Sequence, residues 1–215
     1  MSETICACPD PIHDVSPKRR QISAAAEKLF LSHGYGAVSM DQVARTANVS
    51  KATLYAHFAS KEALFATIMQ DKGLETPFYE GMFPDIVADL RLHLEMMGER
   101  LLRFMLRDRT LALYRMALAE AARFPELGRT FYANGPCSMR ERFVAWLGVL
   151  QAAGLVQVDE ADRGVAADQF MALMRSGVFL RRSLSVLPEP SEAEIHRSVQ
   201  AAVRTWLLAF GTQAA

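Results

Sequence analysis

The chain has 215 residues, 51% hydrophobic and 22% charged, with 24 Lys/Arg balanced by 24 Asp/Glu. A mean hydropathy of +0.06 and the lack of any apolar run of about 18 residues argue against a membrane span, and the size suits one large domain or two small ones. Three cysteines (Cys6, Cys8, Cys137) are too few for a disulfide framework, and no basic-then-apolar leader opens the chain, so a cytosolic protein is expected.

Residues 1–15, with Pro9 and Pro11, read as a flexible leader. Its Cys6 and Cys8, near His13, are metal-ligand types, but two incidental thiols on a solvated arm are the plainer reading. Ser16-Pro17 starts a helix, a cap followed by proline where its missing N–H costs nothing. Ile22, Ala25, Ala26, Leu29 and Phe30 then recur at i, i+3, i+4, i+7 and i+8, and His33-Gly34 ends the helix. Ser39 and Gln42 form a capping box for a second helix, with Met40, Val43, Ala44 and Ala47 on its buried face. Ala47-Asn48-Val49 is a tight turn, since Asn tolerates left-handed backbone angles. Ser50 caps a third helix through Phe58, and Ser60 caps a fourth running to about Lys72. Two helices joined by a three-residue turn are the layout of a helix-turn-helix module, here with a connecting helix behind it.

Residues 76–84, with two prolines and a glycine, read as a junction. Long amphipathic segments follow over about 85–106, 109–124, 125–153 (with a possible break at 133–136), 159–186 and 191–211. The last carries Ile195, Val199, Ala202, Val203, Trp206, Leu207 and Phe210 on one stripe. The expected fold is all-α, an amino-terminal three-helix module joined to a larger helical bundle.

The third helix divides its faces. Leu54 and Phe58 lie four apart and face inward, while Lys51 with Tyr55 and Thr53 with His57 occupy other faces. A helix that enters the major groove needs this arrangement. Lys51 can donate to guanine O6/N7, Ala52 or the Tyr55 ring can touch a thymine methyl, and Thr53, His57 and Lys61 can hold phosphates. A plain packing unit with Tyr and His half-buried is the alternative. Charge favours the first reading: residues 16–62 hold seven Lys/Arg against three Asp/Glu, a net +4, so the remainder carries −4. Phosphate-loop, nucleophile-elbow and zinc-protease motifs are all missing, and Asp159-Glu160-Ala161-Asp162 is a helicase lookalike at a helix start. No catalysis and no cofactor are expected.

Residues 24–69, AAAEKLFLSHGYGAVSMDQVARTANVSKATLYAHFASKEALFATIM, resemble the amino-terminal domain of the TetR/AcrR family of transcriptional regulators. The shared elements are A-x-x-L-F then G-Y, V-A-x-x-A-x-V-S, and T-L-Y-x-H-F-x-S-K-E-x-L. The resemblance implies that the third helix reads DNA through Lys51, Ala52, Thr53, Tyr55, His57 and Lys61, with Ser39 and Gln42 on the backbone. Ala52 departs from the glycine frequent in the family, and its added methyl suits a thymine. Residues 113–136, LYRMALAEAARFPELGRTFYANGP, and ADQFMALMRSGVFLRRSL resemble the AefR-like carboxy-terminal region.

By that resemblance residues 16–72 bind double-stranded DNA at a pseudo-palindromic operator, and residues 73–215 bind a small effector and form a homodimer. Phe104, Met105, Tyr114, Phe143, Trp146, Met171 and Met174 are candidate pocket residues, although each is individually as well suited to plain core. Phe170, Phe179, Val203, Trp206 and Phe210 are candidates for the dimer seam, again with closure of the body's own core as the alternative. The expected function is repression relieved by a small, largely apolar ligand. The alternative trigger is redox or metal chemistry at Cys6 and Cys8.

Overall fold

The computed structural model describes residues 16–70 and 76–212, and it is all-α with no strand among the described residues. The amino-terminal helices are α1 (Pro17–His33), α2 (Met40–Thr46), α3 (Lys51–His57) and α4 (Lys61–Gln70). Their boundaries are set by the caps expected from the sequence. Ser16 Oγ accepts from the Arg19 amide, and Ser39 and Gln42 exchange reciprocal bonds, the Ser39 amide donating to Gln42 Oε1 at 2.7 Å. Ser50 Oγ accepts from the Thr53 amide at 3.0 Å, and Ser60 Oγ from the Ala63 amide at 3.2 Å. Asn48 takes the left-handed conformation, φ 50°, that turns α2 into α3. Helix α4 ends at Gln70, and its expected extension to Lys72 lies outside the described residues.

The helices that follow are α5 (Thr76–Tyr79), α6 (Leu90–Leu106), α7 (Asp108–Glu120), α8 (Pro125–Tyr132), α9 (Ser138–Ala152), α10 (Arg163–Met174), α11 (Val178–Ser183) and α12 (Glu192–Phe210). Three differ from expectation. Helix α6 starts at Leu90 rather than near 85, because Asp89 is its cap and accepts from the Leu92 amide at 2.9 Å. Pro136 does not break the 125–153 segment; a π-helical turn over Ala133–Cys137 absorbs the missing N–H between α8 and α9. The 159–186 segment instead splits at 175–177, where Gly177 adopts φ +57° ahead of α11.

The chain forms two compact units, and they do not follow the linear division at residue 72. One unit holds the described residues up to Phe78 together with Ala112–Ser138; the other holds Tyr79–Leu111 and the residues from Met139 onward. In the first, Ile22, Phe30, Leu54, Phe58 and Phe65 share one core with Leu113, Met116 and Leu127 from α7 and α8. In the second, Phe143 stacks on Phe170 with centroids 4.8 Å apart, and Trp206 meets both edge-on at 5.9 Å. Each Trp there satisfies its N–H: Trp206 donates to Ala166 O at 2.9 Å and Trp146 to Pro84 O at 2.8 Å. Gly98 lets α6 and α12 close together, for a Cβ there would stand 2.8 Å from Val199 Cγ1. Along the same seam, Arg103 pairs with Glu192 at 2.7 Å and His196 Nδ1 lies 2.5 Å from Glu99 Oε1.

Candidate nucleic-acid interface

Helix α3 has only seven residues, too short to be stable without an anchor. Leu54 (0% exposed) and Phe58 (1%) supply it, each buried in the core of the first unit. Phe58 is held further by Arg19, whose guanidinium lies 4.5 Å over the ring while donating to His57 O at 3.1 Å and Thr67 Oγ1 at 2.9 Å. The remaining faces turn outward. Lys51, Ala52 and Tyr55 are exposed, Tyr55 at 51%, and Thr53 and His57 are half-buried. Thr53 Oγ1 lies 2.8 Å from Ser50 Oγ, so the two hydroxyls at the start of α3 are paired.

On α2, Ser39 is exposed and Gln42 half-buried, and the Gln42 amide oxygen is committed to capping Ser39. Between the helices the Lys51 ammonium donates to Asp41 Oδ2 at 2.5 Å. Asp41 was not among the residues singled out in the sequence. The signal for it is the spacing: the first turns of two helices joined by a tight turn sit side by side, ten residues apart in number.

Lys61 is a correction. It was expected to hold a phosphate, but its ammonium turns inward, donating to Tyr35 O at 2.8 Å and Val38 O at 3.0 Å, 4.2 Å over the Tyr35 ring. Burial lowers its pKa, while the nearby carboxylates of Glu62 and Glu120 oppose that shift. Its charge serves the loop that leads into α2. Tyr35 is itself buried, and its hydroxyl donates to Glu62 Oε1 at 3.2 Å. Burial first, and the Glu62 charge second, push the phenol well above its ordinary range. The end of α7 closes on the same loop: the Gly36 amide donates to Glu120 Oε1 at 3.3 Å, and Phe124 meets Tyr35 edge-on at 5.4 Å. A Cβ on Gly36 would stand 2.8 Å from Phe124 Cε2.

The candidate pocket residues do not gather as one lining. Phe143, Trp146, Met171 and Met174 are buried in the core of the second unit, Phe104 and Met105 are half-buried there, and Tyr114 belongs to the first unit, its ring 6.2 Å from Phe131. A shallow depression of about 220 Å³ in the second unit is lined by Asp85, Ile86, Val87, Val149, Leu150, Ala153 and Leu155, none of them candidates. The seam candidates need a second correction. Phe170, Phe179, Val203 and Trp206 are buried within the single chain and Phe210 is half-buried, so they close the unit's own core. The large apolar side chains that α11 and α12 leave exposed are Leu180 (55%) and Leu208 (84%), beside Leu184 just after α11 (66%). Cys6, Cys8 and His13 lie outside the described residues; Cys137 is buried.

A capped helix and a tight turn followed by a short helix anchored from behind are the layout of a helix-turn-helix module. The profile of the tetR family of bacterial regulatory proteins matches residues 22–68, and that of the AefR-like transcriptional repressor carboxy-terminal domain matches residues 93–212. The chain therefore belongs to the tetR family of DNA-binding transcriptional regulators. It is similar in structure to a TetR-family regulator from Mesorhizobium loti MAFF303099, at 27% identity and a TM-score of 0.76, covering 91% of this chain and 97% of that one. It is also similar to the flavonoid-responsive regulator FrrA, at 33% identity and a TM-score of 0.73, covering 91% and 98%. In sequence it is 29% identical to the uncharacterised regulator YvkB of Bacillus subtilis over 168 residues, 77% of this chain and 83% of that protein. Other curated regulators match over only 19% to 41% of their own length. No helix among the described residues is long and apolar enough to cross a membrane.

Proposed function

We propose that this regulator is a repressor that occupies a pseudo-palindromic operator as a two-fold dimer in the cytoplasm and leaves it when a small, largely apolar effector binds the carboxy-terminal unit. The observation that carries the DNA half is the outward face of α3: exposed Lys51, Ala52 and Tyr55 over buried Leu54 and Phe58. Lys51 donates to guanine, the Ala52 methyl and Tyr55 ring contact thymine, and Thr53, His57 and Ser39 approach the backbone, with Gln42 fixing the cap that presents Ser39. The repressor reading is supported by the match to a carboxy-terminal region described as that of a repressor, and by steric occupancy of a promoter. A flavonoid-responsive relative at 33% identity supports a small aromatic or apolar effector, and an aromatic- and methionine-rich second unit suits one. Such a ligand releases DNA only by its differential affinity for the two states of the dimer, typically about 1–3 kcal/mol.

Selection of bound duplexes from a random pool, followed by fluorescence anisotropy, tests the reading. Two related half-sites are expected, with affinity falling roughly 10³–10⁵-fold between 50 and 200 mM salt if about 6–10 phosphates are neutralised. Binding by Lys51→Ala and Tyr55→Ala as tight as wild type would overturn the assignment of α3.

A further inference from the structure

We propose that Asp41 is a base-reading residue, and that with Lys51 it recognises the major-groove edge of one G·C pair in each half-site. The inference rests on the proposed DNA contact of α3 and adds to it a specificity element from α2. Asp41 is the second residue of α2 and Lys51 the first of α3, and their head groups lie 2.5 Å apart with side chains 48% and 67% exposed. Wherever the ammonium is presented, a carboxylate acceptor is presented with it.

Asp41 lies in the first turn of α2, where an acid suits the helix dipole, but neither the cap nor the core depends on it. The capping box of Ser39 and Gln42 already satisfies the start of α2, and neither Asp41 nor Lys51 belongs to the core. An exposed ion pair contributes little to folding, so exchanging it for other partners costs little. Beside a polyanion, however, a carboxylate is repelled unless it meets a donor, and in the major groove the base donors are the exocyclic amino groups of cytosine and adenine. A G·C pair offers guanine N7 and O6 as two adjacent acceptors, with the cytosine N4 donor about one hydrogen-bond length beyond O6. The Lys51–Asp41 pair is the complement: several N–H donors on one side, one acceptor 2.5 Å away on the other. An A·T pair sets its thymine acceptor beside a donor too, but it never places two acceptors together for the ammonium. The same pairing keeps the Lys51 charge partly neutralised away from its target and so holds down binding to unrelated DNA.

The test uses full-length wild type, Asp41→Ala, Asp41→Asn and Lys51→Ala, each selecting from one random duplex pool. Wild type is expected to require G·C at one pair per half-site. Both Asp41 variants should lose about tenfold of the discrimination there, while Asp41→Ala gains affinity for random duplex. N4-methylcytosine at that pair blocks the outward N–H; it should weaken wild type by about tenfold and leave Asp41→Ala unchanged. An unaltered base profile in both Asp41 variants, or equal sensitivity of wild type and Asp41→Ala to the methylated base, overturns the inference. Weakened binding by Lys51→Ala in that case confines the failure to Asp41, whereas undiminished binding by Lys51→Ala brings down the α3 contact itself. Matching thermal unfolding of the variants and wild type confirms that specificity, not folding, has been read.

Discussion

Lys51 and Lys61 each stand in the first turn of a helix, yet their ammonium groups face opposite ways. Lys51 is exposed beside Asp41, whereas Lys61 is turned onto the Tyr35 and Val38 carbonyls. The two substitutions should therefore separate. Lys51→Ala should lose about tenfold or more in operator affinity with an unchanged melting temperature. Lys61→Met should lower stability by about 1–2 kcal/mol, a range already reduced for its partial exposure. Anisotropy and thermal unfolding on the same preparations check the pair. The Ser60 cap marked where α4 begins. It did not show the reach of a four-carbon stem, because the carbonyls that Lys61 meets lie 26 and 23 residues upstream. A pH dependence belongs to Glu99. The hydrogen bond from His196, and then that from Arg103, hold its carboxyl below the ordinary value of 4.5. A depressed carboxylate adds stability that is present above its unfolded pKa and disappears as pH falls through the lower folded value. Denaturant melts between pH 3 and 6 should show a shallower acid loss for Glu99→Gln than for wild type (a window taken from about the ordinary carboxylate range).

At the scale of elements, the local signals were the most legible. Serine caps at 16, 39, 50 and 60 mark helix starts because each hydroxyl satisfies an amide that the helix leaves unpaired. Ser50→Ala should cost about 0.5–2 kcal/mol, and Leu54→Ala about 2–5 kcal/mol by opening a cavity behind α3. Chemical denaturation monitored by circular dichroism measures both, and a loss for Leu54→Ala no greater than for Ser50→Ala would mean that α3 is not pinned from behind. Interruptions were harder to read. Apolar spacing continues across 175–177, so only the left-handed conformation of Gly177 separates α10 from α11. Pro136 looked like a breaker because a π turn, which accommodates it, has no sequence signature distinct from an α-helix.

At the scale of the whole molecule, the motif order from 24 to 69 revealed the family and the all-helical class. The aromatic residues of the last helices were also recognisable as apolar faces, but a stripe does not tell whether a second chain or the same one covers it. Phe170, Val203 and Trp206 turn out to be covered by their own chain. A two-fold dimer predicts operator half-sites about 34–36 Å apart, roughly one turn of DNA, which footprinting of the selected duplex measures directly. The partition of the first unit was beyond the sequence, since nothing local links Glu120 and Phe124 to a loop some 85 residues earlier. That partition has a practical consequence for engineering. A chimera that transplants residues 16–72 onto a foreign effector body would take the Phe124 ring from Tyr35 and the Glu120 carboxylate from Gly36. A graft that also brings residues 112–138 would keep them, and it should be the one that retains a native melting curve.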